Sequence, residues 1–149
     1  MKYLTRDWYN AGHDDDVYFA YRRYLTGISE RLTAPVLALA LSDLHDARFL
    51  DISHDPQAGL LAVRLRIGFR RLGYADLHLA YDGVELFAND GDPTALLADP
   101  ASEVIYHEVD VRDDGRFEHR LLLSPRGELT ITFNDLAVSQ KGVEHRAVP

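Results

Sequence analysis

Histidine and aspartate stand together twice within residues 41–55, LSDLHDARFLDISHD, as His45-Asp46 and His54-Asp55. Such pairs are the raw material of metal sites and acid-base catalysts, so their spacing decides whether they can cooperate. Two ligands converge on a helix at a spacing of three or four residues and on a strand at a spacing of two. His45 and His54 have neither. Leu44-His45-Asp46 falls where helical spacing gives way to alternation, a place where Asp bonds nearby backbone amides and His caps the last helical carbonyls. His54-Asp55-Pro56-Gln57-Ala58-Gly59 reads as the turn between two strands.

A second pair emerges from strand register. If Asp113-Asp114-Gly115 joins two strands so that Val111 faces Phe117, then Val109 faces His119 and His107 faces Leu121. Both histidines then point to the apolar side as diagonal neighbours. Two imidazoles there offer two metal ligands, and a third would have to come from His45, Asp46 or His54. The simpler expectation, adopted here, is a pair of partly buried histidines bonded to the protein itself. No metal site, cofactor site or catalytic residue is assigned; His107, His119, His45 and Asp46 are the residues a metal would use.

Other templates fail on spacing. The chain has no G-x-S-x-G elbow, Walker loop, H-E-x-x-H or glycine fingerprint. Asp90-Gly91-Asp92 imitates a calcium loop, but the twelfth position, counted from Asn89 or Asp90, is Pro100 or Ala101 instead of an acid. Residues 87–100 are better read as a surface loop with a helical turn at Thr94 to Leu97. The His-Asp pair of the HD-type phosphohydrolases sits on helices of a largely helical scaffold, which this chain cannot supply.

The elements that must position these side chains follow from the hydrophobic period, which changes near residue 44. Before it, Val17, Tyr21, Tyr24, Leu25, Ile28 and Leu32 form a helical stripe, with Asp14, Asp15 and Asp16 at its positive end. Pro35 opens a second helix ending near Ser42. Upstream, Lys2 to Leu4 reads as a short strand, and Thr5 as the cap of a helical turn through Trp8. After residue 44 the period is two. Leu61, Val63, Leu65 and Ile67 alternate with Arg64 and Arg66, and Ala75, Leu77, Leu79 and Tyr81 with Asp76 and His78. A hairpin at GFRRLG would set those charged residues across from one another on a solvent face. Turns at Asp113-Asp114-Gly115 and Ser124-Pro125-Arg126-Gly127 then define a meander of Glu103 to Arg112, Arg116 to Ser124 and Glu128 to Asp135, extended through Ser139. The resulting fold is α+β: N-terminal helices packed on one face of a mainly antiparallel, meander-rich sheet of about seven strands. It is read as a single domain, 1–149, mainly helical over 1–44 and mainly β over 45–149.

A chain of 149 residues with 46% hydrophobic and 27% charged residues can build one ordered core. Twenty-four acidic against 16 basic residues give a net charge of -8, and the basic residues are scattered. Phosphate-driven binding of nucleic acid or anionic membranes is therefore not expected, whereas a basic protein partner is compatible. Without cysteine there are no thiolate ligands, nucleophiles or disulfides. No apolar run suits a signal peptide or a membrane span, which suggests the cytoplasm. Aromatic residues crowd the first helix. Tyr21 and Tyr24 lie on its core stripe, while Tyr18 and Phe19 lie off it and are the candidates for a protein interface. An open sheet also leaves an edge through which two copies could pair.

The opening MKYLTRDWY, the joint LHDARFLDI and the closing ELTITFNDLAVS together resemble a family of bacterial proteins that begin Met-Lys-Tyr-Phe-Thr-x-x-Trp-Tyr. Leu4 departs from the usual aromatic residue. The family carries no assigned function, so the resemblance implies a bacterial cytoplasmic protein and gives no residue a role. The rhythm of the later strands is similar to that of small acidic immunity proteins of bacterial toxin systems, an analogy of architecture that implies charge-driven capture of a basic toxin. The leading expectation is thus a non-enzymatic interaction module. Its rival is a metal-dependent or ligand-binding enzyme with a His/Asp site between sheet and helices.

Overall fold

The computed structural model describes residues 1–12, 14–69 and 73–143. Among them α1 (Arg6–Asn10), α2 (Asp15–Ile28) and α3 (Ala34–Ala40) precede β1 (Ala47–Asp55), β2 (Leu60–Phe69), β3 (Gly73–Asp82) and β4 (Glu85–Ala88). After α4 (Pro93–Ala98) come β5 (Glu103–Val111), β6 (Phe117–Ser124), β7 (Glu128–Phe133) and β8 (Asp135–Val143). The helix starts are where the polar residues put them. Thr5 accepts the Trp8 N–H, Asp14 that of Asp16, and Asp92 those of Thr94 and Ala95, while Pro35 sits in the first turn of α3.

The strands form one antiparallel sheet in the order β4-β7-β6-β5-β1-β2-β3-β8. The fold is α+β, with eight strands rather than about seven. The additional one, β4, is four residues long and paired only with β7, too short for alternation to announce it. Elsewhere the register matches the residue pattern: Val111 pairs with Phe117, Val109 with His119, His107 with Leu121, Arg64 with His78, and Arg66 with Asp76. Gly115 supplies the left-handed residue of the β5–β6 loop, at φ +85°. Residues 70–72 of the expected GFRRLG hairpin lie outside the described residues. Arg66 and Asp76 depart from the expected solvent face: both are buried, ion-paired through Arg66 Nε and Asp76 Oδ1.

The sheet is too curved to lie flat. Tyr81 on β3 and Phe133 on β7 are five strand spacings apart, about 24 Å in a flat sheet. Their ring centroids are nevertheless 5.0 Å apart. The apolar side of the strands therefore meets itself, and residues of β2, β3, β5, β6 and β7 share one core with α3 and α4. Each of these helices bridges strands that are not hydrogen-bonded neighbours, α3 joining β5 to β8 and α4 joining β1 to β4.

α1 meets β5 from its other side, and α2 spans the two, with Leu25 and Ile28 in the main core and Tyr21 in a second cluster. Side chains alternate along a strand, so Tyr106, Glu108 and Asp110 point away from His107 and Val109. Tyr106 packs edge-on to Trp8 of α1, with centroids 5.0 Å apart, and Asp110 bonds the Tyr24 hydroxyl of α2. Lys2 to Leu4 do not form a strand. Their three amides converge on the carboxylate of Glu108, at 2.8, 2.7 and 2.5 Å, burying it to 1% exposure and strapping the N-terminal segment to the sheet. Leu4, Trp8 and Tyr21 close a second, smaller apolar cluster there.

Candidate functional site

The pairing of β5 with β1 lasts only for Ala47–Val104 and Arg48–Glu103. These are the first two residues of each strand, so β5 runs on past the start of β1 and its backbone needs other partners. Tyr21 of α2 accepts the Val109 N–H on its hydroxyl at 2.7 Å, and His45 bonds the Ile105 carbonyl from Nδ1 at 2.7 Å. Beside these contacts lies a cleft of about 240 Å3 between α2, the end of α3, the joint and β5. Tyr18, Tyr21, Arg22, Leu41, His45 and His107 are among its walls.

The joint LHD does not work as the sequence suggests. Asp43, rather than Asp46, makes the local turn by accepting the His45 N–H at 3.1 Å. His45 bonds β5 instead of the last carbonyls of α3. Asp46 holds φ +60°, the sole non-glycine residue at positive φ among the described residues, and donates its N–H to Val104 at 2.9 Å. Its carboxylate lies 3.6 Å from His45 Nε2, with both side chains more than half exposed. His54 lies on β1 and takes no part; the adjoining turn is held by Asp55, which accepts the amides of Gln57 and Ala58.

The diagonal pair on β5 and β6 is present and bonded. His107 Nδ1 and His119 Nε2 are 3.2 Å apart, His119 Nδ1 is 2.7 Å from the Tyr81 hydroxyl, and His107 Nε2 is 2.9 Å from the Ser42 carbonyl. Donor and acceptor roles along this chain are fixed from one end. A carbonyl only accepts, so His107 donates from Nε2 and, when neutral, accepts at Nδ1. His119 must then donate from Nε2 and accept at Nδ1 from the Tyr81 hydroxyl. Three protons thus point one way, from the core towards the cleft. Burial opposes charge at every member: it lowers both histidines, His119 furthest because His107 adds to the effect, and it raises Tyr81. The Ser42 carbonyl, Asp43 and Glu108 pull His107 partly back.

Every ring nitrogen of His107 and His119 is therefore engaged within the protein, as is Nδ1 of His45. Among the described residues no group of three His, Cys, Asp or Glu side chains could hold a metal ion. The sequence indicated the two histidines but not Tyr81, which belongs to a strand four places from β6 in the sheet and meets His119 only because the sheet curls. No local pattern announces that contact.

The mouth of the cleft carries the exposed apolar residues of this region. Tyr18 is 38% exposed, Phe19 53% and Leu41 57%; Tyr18 and Leu41 line the cleft, and the Phe19 ring stands edge-on to Tyr18 at 6.0 Å. Tyr21 faces inward as the helical stripe requires, and burial pushes its hydroxyl up to about 12. Of the exposed charged residues, Asp43 and Arg22 line the cleft, Asp46 lies beside His45 of its wall, and Asp15 is near Tyr106 of its wall. No helix among the described residues is long and apolar enough to cross a membrane. No family model matches the chain, nor does any curated protein or solved structure.

Proposed function

We propose that this chain is a non-enzymatic interaction module that holds a basic protein partner at the mouth of the α2–α3–β5 cleft. The observation that carries the reading is that exposed Tyr18 and Leu41 line one concavity, with Phe19 against Tyr18 and with Asp43 and Asp46 close by. Exposed aromatic and aliphatic side chains beside a pit are the usual anchors of protein recognition, and a net charge of -8 favours partners of opposite charge and speeds their arrival. This mode of capture is the one the immunity-protein analogy implies. The rival reading, an enzyme built on His107, His119 and His45 or Asp46, is less supported, because the hydrogen-bond chain occupies all four ring nitrogens of the buried pair.

An arrayed library of Lys/Arg-rich peptides, with and without one interior Trp or Leu, tests this directly. Binders should combine positive charge with a large apolar residue, weaken by roughly tenfold or more between about 0.1 M and about 0.5 M salt, and be lost in the Phe19→Ser/Leu41→Ser double variant. Binding that survives in that variant, or a library without charge-selected binders, would overturn the proposal.

A further inference from the structure

The histidine chain ends at the cleft, and its one-way order leaves no place for an extra proton. If His107 takes it, two N–H groups oppose each other across the 3.2 Å gap to His119. If His119 then exchanges its tautomer to relieve them, its Nδ1–H turns towards Tyr81, whose hydroxyl loses its acceptor in the core. If the proton rests on His119, a cation sits at 1% exposure with no carboxylate against it among the described residues. Of the two rings only that of His107 lines the cleft. Turning outward into water is therefore the relief open to the charged pair, and it takes His107 off the Ser42 carbonyl that anchors the cleft rim.

We propose that His107 and His119 form a proton-operated latch on the cleft. Neutral, the pair ties the rim at Ser42 to the sheet and adds no charge to the cleft wall; protonated, it frees the rim and swings an imidazolium into the space a basic partner would occupy. The groups facing His107 are Asp43 and His45 from the joint, Tyr18, Tyr21 and Arg22 from α2, Glu108 from its own strand, and His119 with Tyr81 beyond it. Burial opposes the proton, while the Ser42 carbonyl, Asp43 and Glu108 favour it. The partner half of the proposal rests on the cleft being the docking site; the latch itself does not.

NMR titration of the wild-type protein between about pH 8 and about pH 5 separates the two. At high pH both rings should show the Nε2–H tautomer. On acidification, the His107 ring signals and the amides of residues 41–45 should move with one midpoint. His107→Gln, which can still donate to Ser42 but does not titrate, should abolish the rim movement, and Tyr81→Phe, which weakens the neutral order, should shift the midpoint to higher pH. A rim that stays still while His107 titrates, or that moves equally in His107→Gln, overturns the latch. With a library peptide in hand, affinity should fall about tenfold from about pH 7.5 to about pH 5.5 in the wild type and stay level in His107→Gln. Peptide binding that ignores pH rejects the latch as a regulator. If no peptide binds at any pH, the docking assignment fails while the NMR result still decides the latch.

Discussion

Replacing Tyr81 with phenylalanine removes one oxygen from a residue that is 2% exposed and leaves its other contacts, including the edge-on packing with Phe133, in place. What is lost is the proton donated to His119 Nδ1. That nitrogen is in the core, and neither tautomer of His119 repairs the loss. With Nε2–H kept, Nδ1 is an unpaired acceptor; with the proton moved to Nδ1, an unpaired donor faces the phenylalanine and His107 Nδ1 loses its own donor. A buried polar group left unsatisfied costs about 1 to 3 kcal/mol, and the absent hydroxyl's own desolvation returns only part of this. A loss near 2 kcal/mol corresponds to a drop of roughly 4 to 8 °C in Tm for a chain of this size. Urea unfolding of both proteins at about pH 8, where the pair is neutral, measures it through the midpoint at constant slope. Combining Tyr81→Phe with His119→Leu should give a total loss smaller than the sum of the two, since the donor and its acceptor then leave together. A Tyr81→Phe protein within about 0.3 kcal/mol of wild type would show that the hydroxyl does not serve His119, and the directional chain would have to be abandoned.

Glu108→Gln sets an amide N–H against the amides of Lys2, Tyr3 or Leu4 and removes the charge that strengthens the other bonds; the expected loss is about 3 kcal/mol, with residues 1–12 becoming the first site of limited proteolysis, and a loss under about 0.5 kcal/mol would refute the strap. Stability should also depend on pH through the histidines. Both are lowered in the folded protein, so the unfolded chain binds protons first; their contribution is complete above about pH 6.5 and falls on acidification by up to about 1.4 kcal/mol per pH unit for each ring, until the folded values are reached. A urea midpoint that stays flat from about pH 7 to about pH 5 would contradict this. Asp46→Gly relieves a left-handed backbone at φ +60° and should raise stability by about 0.5 to 1 kcal/mol, whereas Asp46→Val should lower it; thermal unfolding that ranks the two in the opposite order would show that the Asp46 side chain, rather than its backbone, matters at the joint.

Local chemistry in the chain was enough to place His107 and His119 side by side. The loop Asp113-Asp114-Gly115 sets the register of β5 against β6, and alternation does the rest. The helix starts at Thr5 and Asp14 are legible for the same reason, because each is a bond between near neighbours. What could not be read depends on how elements meet. Glu108 alternates with apolar residues as any solvent-facing acid does, and nothing within β5 says that amides more than a hundred residues away will cover it. Arg66 and Asp76 were misread likewise, since the pattern identifies a face without saying whether that face is wet. Tyr81 reaches His119 by curvature, a property of the whole sheet. The joint at His45 misled most: its residue types suggest a local cap, yet β5 runs on past the start of β1 and leaves a carbonyl at Ile105 that His45 goes to instead.

The strap on Glu108 also imposes a schedule on biosynthesis. Residues 2–4 leave the ribosome well before their anchor, which emerges more than a hundred residues later, followed by β6, which pairs with it. At roughly 5 to 20 residues per second that is an interval of roughly 5 to 20 s. Throughout it Leu4 and Trp8 stay bare of the β5 contacts that later shelter them, within reach of any chaperone at the exit tunnel. A segment made long before its anchor is thus late to find its place.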